Sequence, residues 1–254
     1  MESYSFRLLN TGFHNCYYNM GLDEALLEGV AAGAPPVLRL YGWNPPAVSV
    51  GYFQGLQEEV DLPAAKRLGF DVVRRVSGGG AVLHQFELTY SVILASGHPL
   101  AGEDIAGSYR ILSAGLVAGL RFLGVEAAFS GANDILAGGK KISGNAQTRR
   151  SGGVLQHGTV LLDNNPDTMF QVLRVPREKI RDKLIDEVKE RVSSLRAILG
   201  REVPFEEAGE ALERGFQAAL GFAYDRAEIT EAEDRRAREL GDTKFSARDW
   251  LFKR

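Results

Sequence analysis

The sequence predicts an α+β fold built around one main domain. Strand-like runs crowd into the first 163 residues, and helical periodicity takes over from about residue 166. The two never settle into the regular strand-helix alternation of a doubly wound sheet. No fixed-period repeat stands out, which excludes a solenoid. A chain of 254 residues can bury most of its apolar surface in one domain with a small appendage. We expect residues 1–200 to form the main domain and 201–254 a helical extension packed on it, the boundary falling at "LGREVP".

Residues 5–10 alternate as a strand, and residues 18–33 place Met20, Leu22, Leu26, Leu27 and Val30 near helical spacing. Asn19 is the expected cap of that helix and Gly33 its stop. "VLRLYGW" (37–43) and "AVSVGYF" (47–53) read as strands across a turn at Asn44-Pro45-Pro46, and residues 61–69 as a short helix. Three strand-like runs follow at 70–77, 80–84 and 87–95, punctuated by Gly78, Gly79 and Gly80 and by a turn at Gln85-Phe86. Residues 103–124 form the longest amphipathic helix of the first half, and 133–149 and 152–162 read as hairpin-like strand segments. Helices are expected at 166–175, 186–199, 204–221 and 230–240.

Composition narrows the function. Lys and Arg number 30 against 33 Asp and Glu, a net charge of −3, so the basic excess that non-specific binding to nucleic acid or acidic membrane requires is missing. One cysteine, Cys16, excludes an intramolecular disulfide and any zinc site built on several thiolates, and nothing around it signals an activated thiol. The first residues lack a signal-peptide pattern and no run approaches membrane-spanning length, so a cytoplasmic protein is expected. Glycine is in excess, 29 of 254 or about 11% against a usual ~7%, and the excess is clustered where chemistry should be sought.

The first cluster is "RRVSGGGAVLH", Arg74 to His84. Adjacent glycines let consecutive backbone N–H groups approach an anion, and two upstream arginines add charge and a donor fork. A glycine hairpin flanked by surface arginines accounts for the same residues. The second is "GANDILAGGKKISGNAQTR", where Asn133 and Asp134 pair an amide with a carboxylate ahead of Lys140-Lys141. If Ile142 points inward, alternation places Lys141 on the face of Ser143. A lysine facing a glycine-lined cleft suits adenylate chemistry, which needs a point charge between carboxylate and α-phosphate. Two solvated lysines on a hairpin are the plainer alternative. The third is "GGVLQHGTVLL", with His157, Gly158 and Thr159 inside an apolar strand. There a glycine marks a close approach, and the histidine is either a satisfied core group or a base.

Taken in order with "NMGLDEALL" and "SVGYFQ", these stretches resemble the lipoate protein ligase A family of the biotin/lipoate A/B protein ligase superfamily. The ending "ITEAEDRRARELGDTKFSARDW" resembles short archaeal-type members. The resemblance implies a mixed β-sheet flanked by helices, with acyl group and nucleotide in one cleft. It implies ATP, Mg2+ and lipoate as ligands, and apo lipoyl domains of 2-oxoacid dehydrogenase complexes or the glycine cleavage H protein as acceptors, with a small accessory ligase subunit as a further partner. By the same resemblance Lys141 is the essential lysine touching both the lipoyl carbonyl and the phosphate. Arg75 and the segment Ser77, Gly78, Gly79, Gly80, Ala81, Val82 and Leu83 form the nucleotide loop. Asn133 and Asp134 lie near the nucleotide, with Asp134 toward its magnesium, and His157, Gly158 and Thr159 complete the cleft. Ala132 stands where many ligases carry an arginine. Octanoyltransferases of the superfamily instead work through a cysteine thioester. In the form most similar to this chain that cysteine precedes the "ND" stretch, where the chain reads "EAAFSGAND". A non-catalytic lipoyl or nucleotide sensor is the reading from another class.

Overall fold

The computed structural model describes residues 3–174 and 190–253. Of the expected helices, the end of 166–175 and the first residues of 186–199 lie outside the described residues. Strand β1 (Tyr4–His14) leads into helix α1 (Cys16–Ala31) and strand β2 (Val37–Trp43). Strand β3 (Ala47–Val50), short helices α2 (Leu56–Glu59) and α3 (Leu62–Arg67) and strands β4 (Asp71–Arg74) and β5 (Val82–His84) form a lobe of their own. The chain then returns through β6 (Glu87–Ala95), α4 (Ile105–Phe122), β7 (Ala127–Ser130), β8 (Asp134–Ala137), β9 (Lys140–Arg150) and β10 (Gly153–Leu161). Helices α5 (Pro166–Val172), α6 (Leu195–Leu199) and α7 (Phe205–Leu220), strand β11 (Phe222–Arg226) and helices α8 (Glu231–Leu240) and α9 (Arg248–Leu251) complete the order.

An eight-stranded sheet runs β11-β1-β2-β6-β10-β9-β8-β7, and a three-stranded one β4-β3-β5. The large sheet is mixed: β1 pairs parallel with β11 and β2, while its remaining pairs are antiparallel. The fold is therefore α+β, a mixed sheet flanked by helices. The period of two sorts its side chains. Leu38 and Leu40 on β2 and Leu88, Tyr90, Val92 and Leu94 on β6 face α4 and α7, whereas Val37, Tyr41 and Ile93 face α1 and α8. The second face also receives Arg39, Thr89 and Ser91, polar residues at core positions. A third apolar cluster, with Val48, Val50, Val60 and Phe70, holds the small sheet to its helices.

Several local readings differ. The cap of α1 is Asn15, whose Oδ1 accepts from Tyr18 N at 2.9 Å. Asn19 sits one turn inside, fully buried, and donates Nδ2 to the carbonyls of His14 (3.1 Å) and Gly42 (2.9 Å). The core contacts of α1 begin at Cys16 and Tyr18, ahead of Met20, so the helix starts one turn before the apolar spacing read from Met20. Residues 47–53 do not form a hairpin with 37–43, since β3 belongs to the other sheet. Strands β7 and β11 were not anticipated: each is four or five residues long at a sheet edge, without clean alternation.

Residues beyond 200 are joined to the rest by close contact. Helix α7 lies on α4, and β11 extends the sheet beside β1. At the α4–α7 crossing a Cβ added to Gly215 would collide with Gly119 N and Gly115 O, so the helix backbones touch. Gly215→Ala should therefore cost about 1–3 kcal/mol through overpacking. Calorimetry or thermal denaturation should show a melting temperature lower by several degrees; an unchanged value would mean that the helices do not meet backbone to backbone.

Candidate active site

On the polar side of the large sheet, α1 places Asp23 beneath β2, β6 and β10, 1% exposed. Its carboxylate accepts from Arg39 Nη1 at 2.7 Å, Tyr41 OH at 3.1 Å and Ser91 Oγ at 2.9 Å, and meets His157 Nδ1 at 3.1 Å. Burial pushes this carboxyl up, but Arg39 and His157 outweigh it and hold it below the ordinary value of 3.8. An ionised carboxylate only accepts, so His157 carries a proton on Nδ1, and its Nε2 is hydrogen-bonded to Ser77 Oγ, 2.6 Å away. The chain Asp23, His157, Ser77 thus ties helix α1 to the glycine loop.

The loop itself is set by the second of the two arginines. Arg74 is fully buried and donates to the carbonyls of Gly51, Tyr52, Gln54, Trp250 and Leu251. It is a staple between β4 and the C-terminal helix α9, not an anion ligand. Arg75, 5% exposed, donates to Gly78 O (2.7 Å), Gly80 O (2.8 Å), Ser49 O (3.2 Å) and Ser49 Oγ (3.1 Å). No described carboxylate pairs with it. Burial pushes the guanidinium down to about 10, which leaves it cationic and uncompensated at neutral pH. Because Gly78 and Gly80 turn their carbonyls toward Arg75, their side of the loop is occupied. The amides of Gly79, Gly80 and Ala81 have no partner among the described residues. Gly79 adopts φ +92°, which a side chain would resist.

In the second cluster, Lys141 Nζ meets Asp134 Oδ1 at 2.7 Å, both side chains partly exposed. The expected sharing of a face by Lys141 and Ser143 does not occur. β8 pairs Ile135 with Ser143 and Leu136 with Lys141, so the register skips Ile142 and reverses the alternation. Ile142 and Ser143 are both buried, while Lys141 lies over Gly144, where an added Cβ would stand 2.9 Å from its Nζ. Asn133 is pinned to β9: Asn145 N (3.1 Å) and Nδ2 (2.8 Å) donate to its carbonyl, and its own Nδ2 donates to Asn145 O.

These groups surround a cavity of about 310 Å3. Of the residues singled out in the sequence, Arg75, Gly79, Gly80, Ala81, Val82 and Leu83 line it. Asn133, Lys141, His157, Gly158 and Thr159 line it too, and Met20, Tyr41 and Trp43 add apolar surface. Ser77 stands behind the wall, fully buried; Gly78 and Asp134 flank it without lining it. Sequence reasoning passed over Asp23, Ser49 and Glu87. The one available signal was a carboxylate inside the apolar stretch "MGLDEALL". Among the described residues no three His, Cys, Asp or Glu gather to hold a metal. Asp134 offers one hard oxygen at the cleft edge, which fits a magnesium ion that takes its other ligands from nucleotide phosphates and water. Cys16 is fully buried and absent from the cleft, and burial pushes its thiol far up. No described helix is long and apolar enough to cross a membrane.

Residues 15–217 match the family model described as the lipoyl protein ligase A/B catalytic domain. The chain is 40% identical over 273 residues to a protein of Kyrpidia tusciae named octanoyltransferase LipM, covering 98% of this chain and 99% of that one. Among solved structures, the bipartite lipoate protein ligase of Thermoplasma acidophilum, described with its E2 lipoyl domain, superposes with a TM-score of 0.87 at 36% identity. The match covers 99% of this chain and 96% of that one. A lipoate-protein ligase A bound with ATP gives 0.83 at 33% identity, covering 99% of each.

Removing the carboxylate under the cleft strands a buried arginine, so Asp23→Ala should lose about 3–5 kcal/mol of stability. The contribution of Asp23 is present above its ordinary 3.8 and fades as pH falls through its lower folded-state value. Denaturant titrations of wild type and Asp23→Asn should therefore converge as pH drops below about 4. A gap that widens on acidification would contradict the assignment of Asp23 as an ionised hub.

Proposed function

Since the chain belongs to the lipoyl protein ligase A/B catalytic-domain family, and is an enzyme of the lipoate ligase and transferase superfamily, we propose that it is an ATP-dependent lipoate protein ligase subunit. Lipoate carboxylate attacks the α-phosphorus of ATP, pyrophosphate leaves, and a lysine of an acceptor lipoyl domain then attacks the acyl carbonyl, releasing AMP and forming an amide. The observation that carries the reading is the gathering of two cationic groups on one cleft, Arg75 with the loop amides that have no partner among the described residues, and Lys141. Lys141 exchanges Asp134 for the acyl carboxylate and the α-phosphate, and supports the negative charge that builds in both steps. The free amides of Gly79, Gly80 and Ala81 receive phosphate oxygens, while the apolar surface of Met20, Tyr41 and Trp43 takes the acyl chain. Asp134, once released, is the residue that would hold magnesium, which supplies charge neutralisation on the phosphates when bound. Asn133 keeps that strand end in place, and His157, Gly158 and Thr159 border the reacting centre.

The named octanoyltransferase relatives favour a second reading, acyl transfer through a thioester. It requires a nucleophilic thiol beside the acyl carbonyl. Cys16 is the chain's sole cysteine, and it is buried in the α1 core, away from the cleft. The segment before Asn133 and Asp134 reads Ser130, Gly131 and Ala132. This geometry favours ligation.

Lys141→Ala should slow adenylation by about 10²-fold or more with folding intact, read as AMP formed per enzyme with an apo lipoyl domain as acceptor. Cys16→Ser should retain acyl transfer in the same assay. Loss of activity in Cys16→Ser, together with unchanged adenylation in Lys141→Ala, would move the assignment to the thioester class. We also propose that a small accessory subunit raises turnover; full turnover by the isolated chain would refute that part.

A further inference from the structure

Beside the Asp23 chain runs a second one, which no step so far has used. Glu87 Oε1 lies 2.7 Å from His84 Nδ1, and His84 Nε2 lies 2.8 Å from Ser49 Oγ. Ser49 Oγ in turn accepts from Arg75 Nη1 at 3.1 Å. The other Glu87 oxygen accepts from Gln85 N at 2.8 Å. Trp43 stacks on the imidazole with ring centroids 3.9 Å apart, fixing the plane of the ring. Ser49, His84 and Glu87 are all nearly buried, and Ser49, His84 and Arg75 border the cleft.

The donors and acceptors allow one consistent assignment. Glu87 accepts twice, so His84 holds its proton on Nδ1 and presents a bare Nε2 to Ser49. Ser49 gives its hydroxyl hydrogen to Nε2 and offers its lone pairs to Arg75. Burial pushes the imidazole down, which keeps it neutral beside the arginine. Arg75 has five N–H groups, and Ser49 and the loop carbonyls engage them. We propose that His84 is a positioning residue: through Ser49 it fixes the Arg75 guanidinium, and through Arg75 it fixes the direction in which the glycine loop presents its amides. The functional consequence rests on the reading of that loop as the nucleotide site, whereas the positioning itself does not.

Glu87→Gln tests it without changing shape. The amide must place its oxygen on one of two donors and its NH2 on the other. Gln85 N–H cannot give up its hydrogen, so the NH2 faces His84, which moves its proton to Nε2. That hydrogen then competes with Arg75 for Ser49 Oγ. In the full-length protein, nitrogen-15 NMR of the histidines should report the Nδ1–H form of His84 in wild type and the Nε2–H form in Glu87→Gln. Exchange of the Arg75 Nη1–H with water should quicken about tenfold, the effect of weakening its buried hydrogen bond to Ser49 Oγ. Glu87→Asp, which keeps a carboxylate, should restore part of the protection. An Nε2–H tautomer in wild type, or a switched tautomer with Arg75 exchange unchanged, would overturn the proposal. If Glu87→Gln fails to fold, the same two signals in Ser49→Ala decide, since loss of the hydroxyl should free Arg75 with His84 still on Nδ1. ATP affinity, measured by calorimetry on the same samples, is expected to fall about tenfold with the Arg75 change. Quickened exchange with no ATP binding by wild type would sink the nucleotide reading while leaving the positioning role standing.

Discussion

The buried carboxylate of Asp23 is the constraint from which the cleft is built. Placing an ion among core side chains is costly unless its oxygens are filled and a counter-charge is close. Here Arg39 from β2, Tyr41 beside it, Ser91 from β6 and His157 from β10 all converge on it. Four segments distant in sequence are therefore brought to one point, and the fifth, the glycine loop, follows through Ser77. Without the carboxylate, Arg39 would be left a lone buried cation, and His157 would lose the partner of its Nδ1 proton.

The cations at the surface of the cleft have the opposite character. Arg75 is buried but paired only with carbonyls and a hydroxyl, so its charge is spent on orienting the loop and is still felt in the cavity. Lys141 is partly exposed and matched only by Asp134, a pair that exchanges partners at little cost because solvent screens it. A buried, fixed cation and a part-exposed one on a single cavity suit the proposed reaction, whose negative charge builds first on carboxylate and phosphate and then at the acyl carbonyl. Arg75 supplies fixed positioning and Lys141 the charge stabilisation.

Much of this was legible in the sequence. The runs at 37–43 and 87–95 carry alternation strong enough to fix both strands, and the glycine loop and the Lys141 stretch are unusual enough to mark the site. Two things were hidden. The skipped Ile142 reverses which face Lys141 occupies, and a one-residue slip leaves no trace in an alternating pattern. Glu87 lies close to His84 in sequence, but the two chains also depend on Ser49 meeting His84 and Asp23 meeting His157 across long sequence separations, which no local period records. Composition and spacing do not separate Arg74 from Arg75; the resemblance singles out Arg75, and packing gives the physical difference, with Arg74 capping the C-terminal helix and Arg75 bordering the cleft.

Pyrophosphate release tests the central claim most directly, because only the adenylating route produces it. The chain is mixed with MgATP, an apo lipoyl domain and the accessory subunit, and pyrophosphate is followed before and after lipoate is added. The account predicts a lipoate-dependent burst that tracks lipoylation of the acceptor. Acyl transfer from an octanoyl carrier thioester without ATP, and no pyrophosphate when lipoate is supplied, would contradict it.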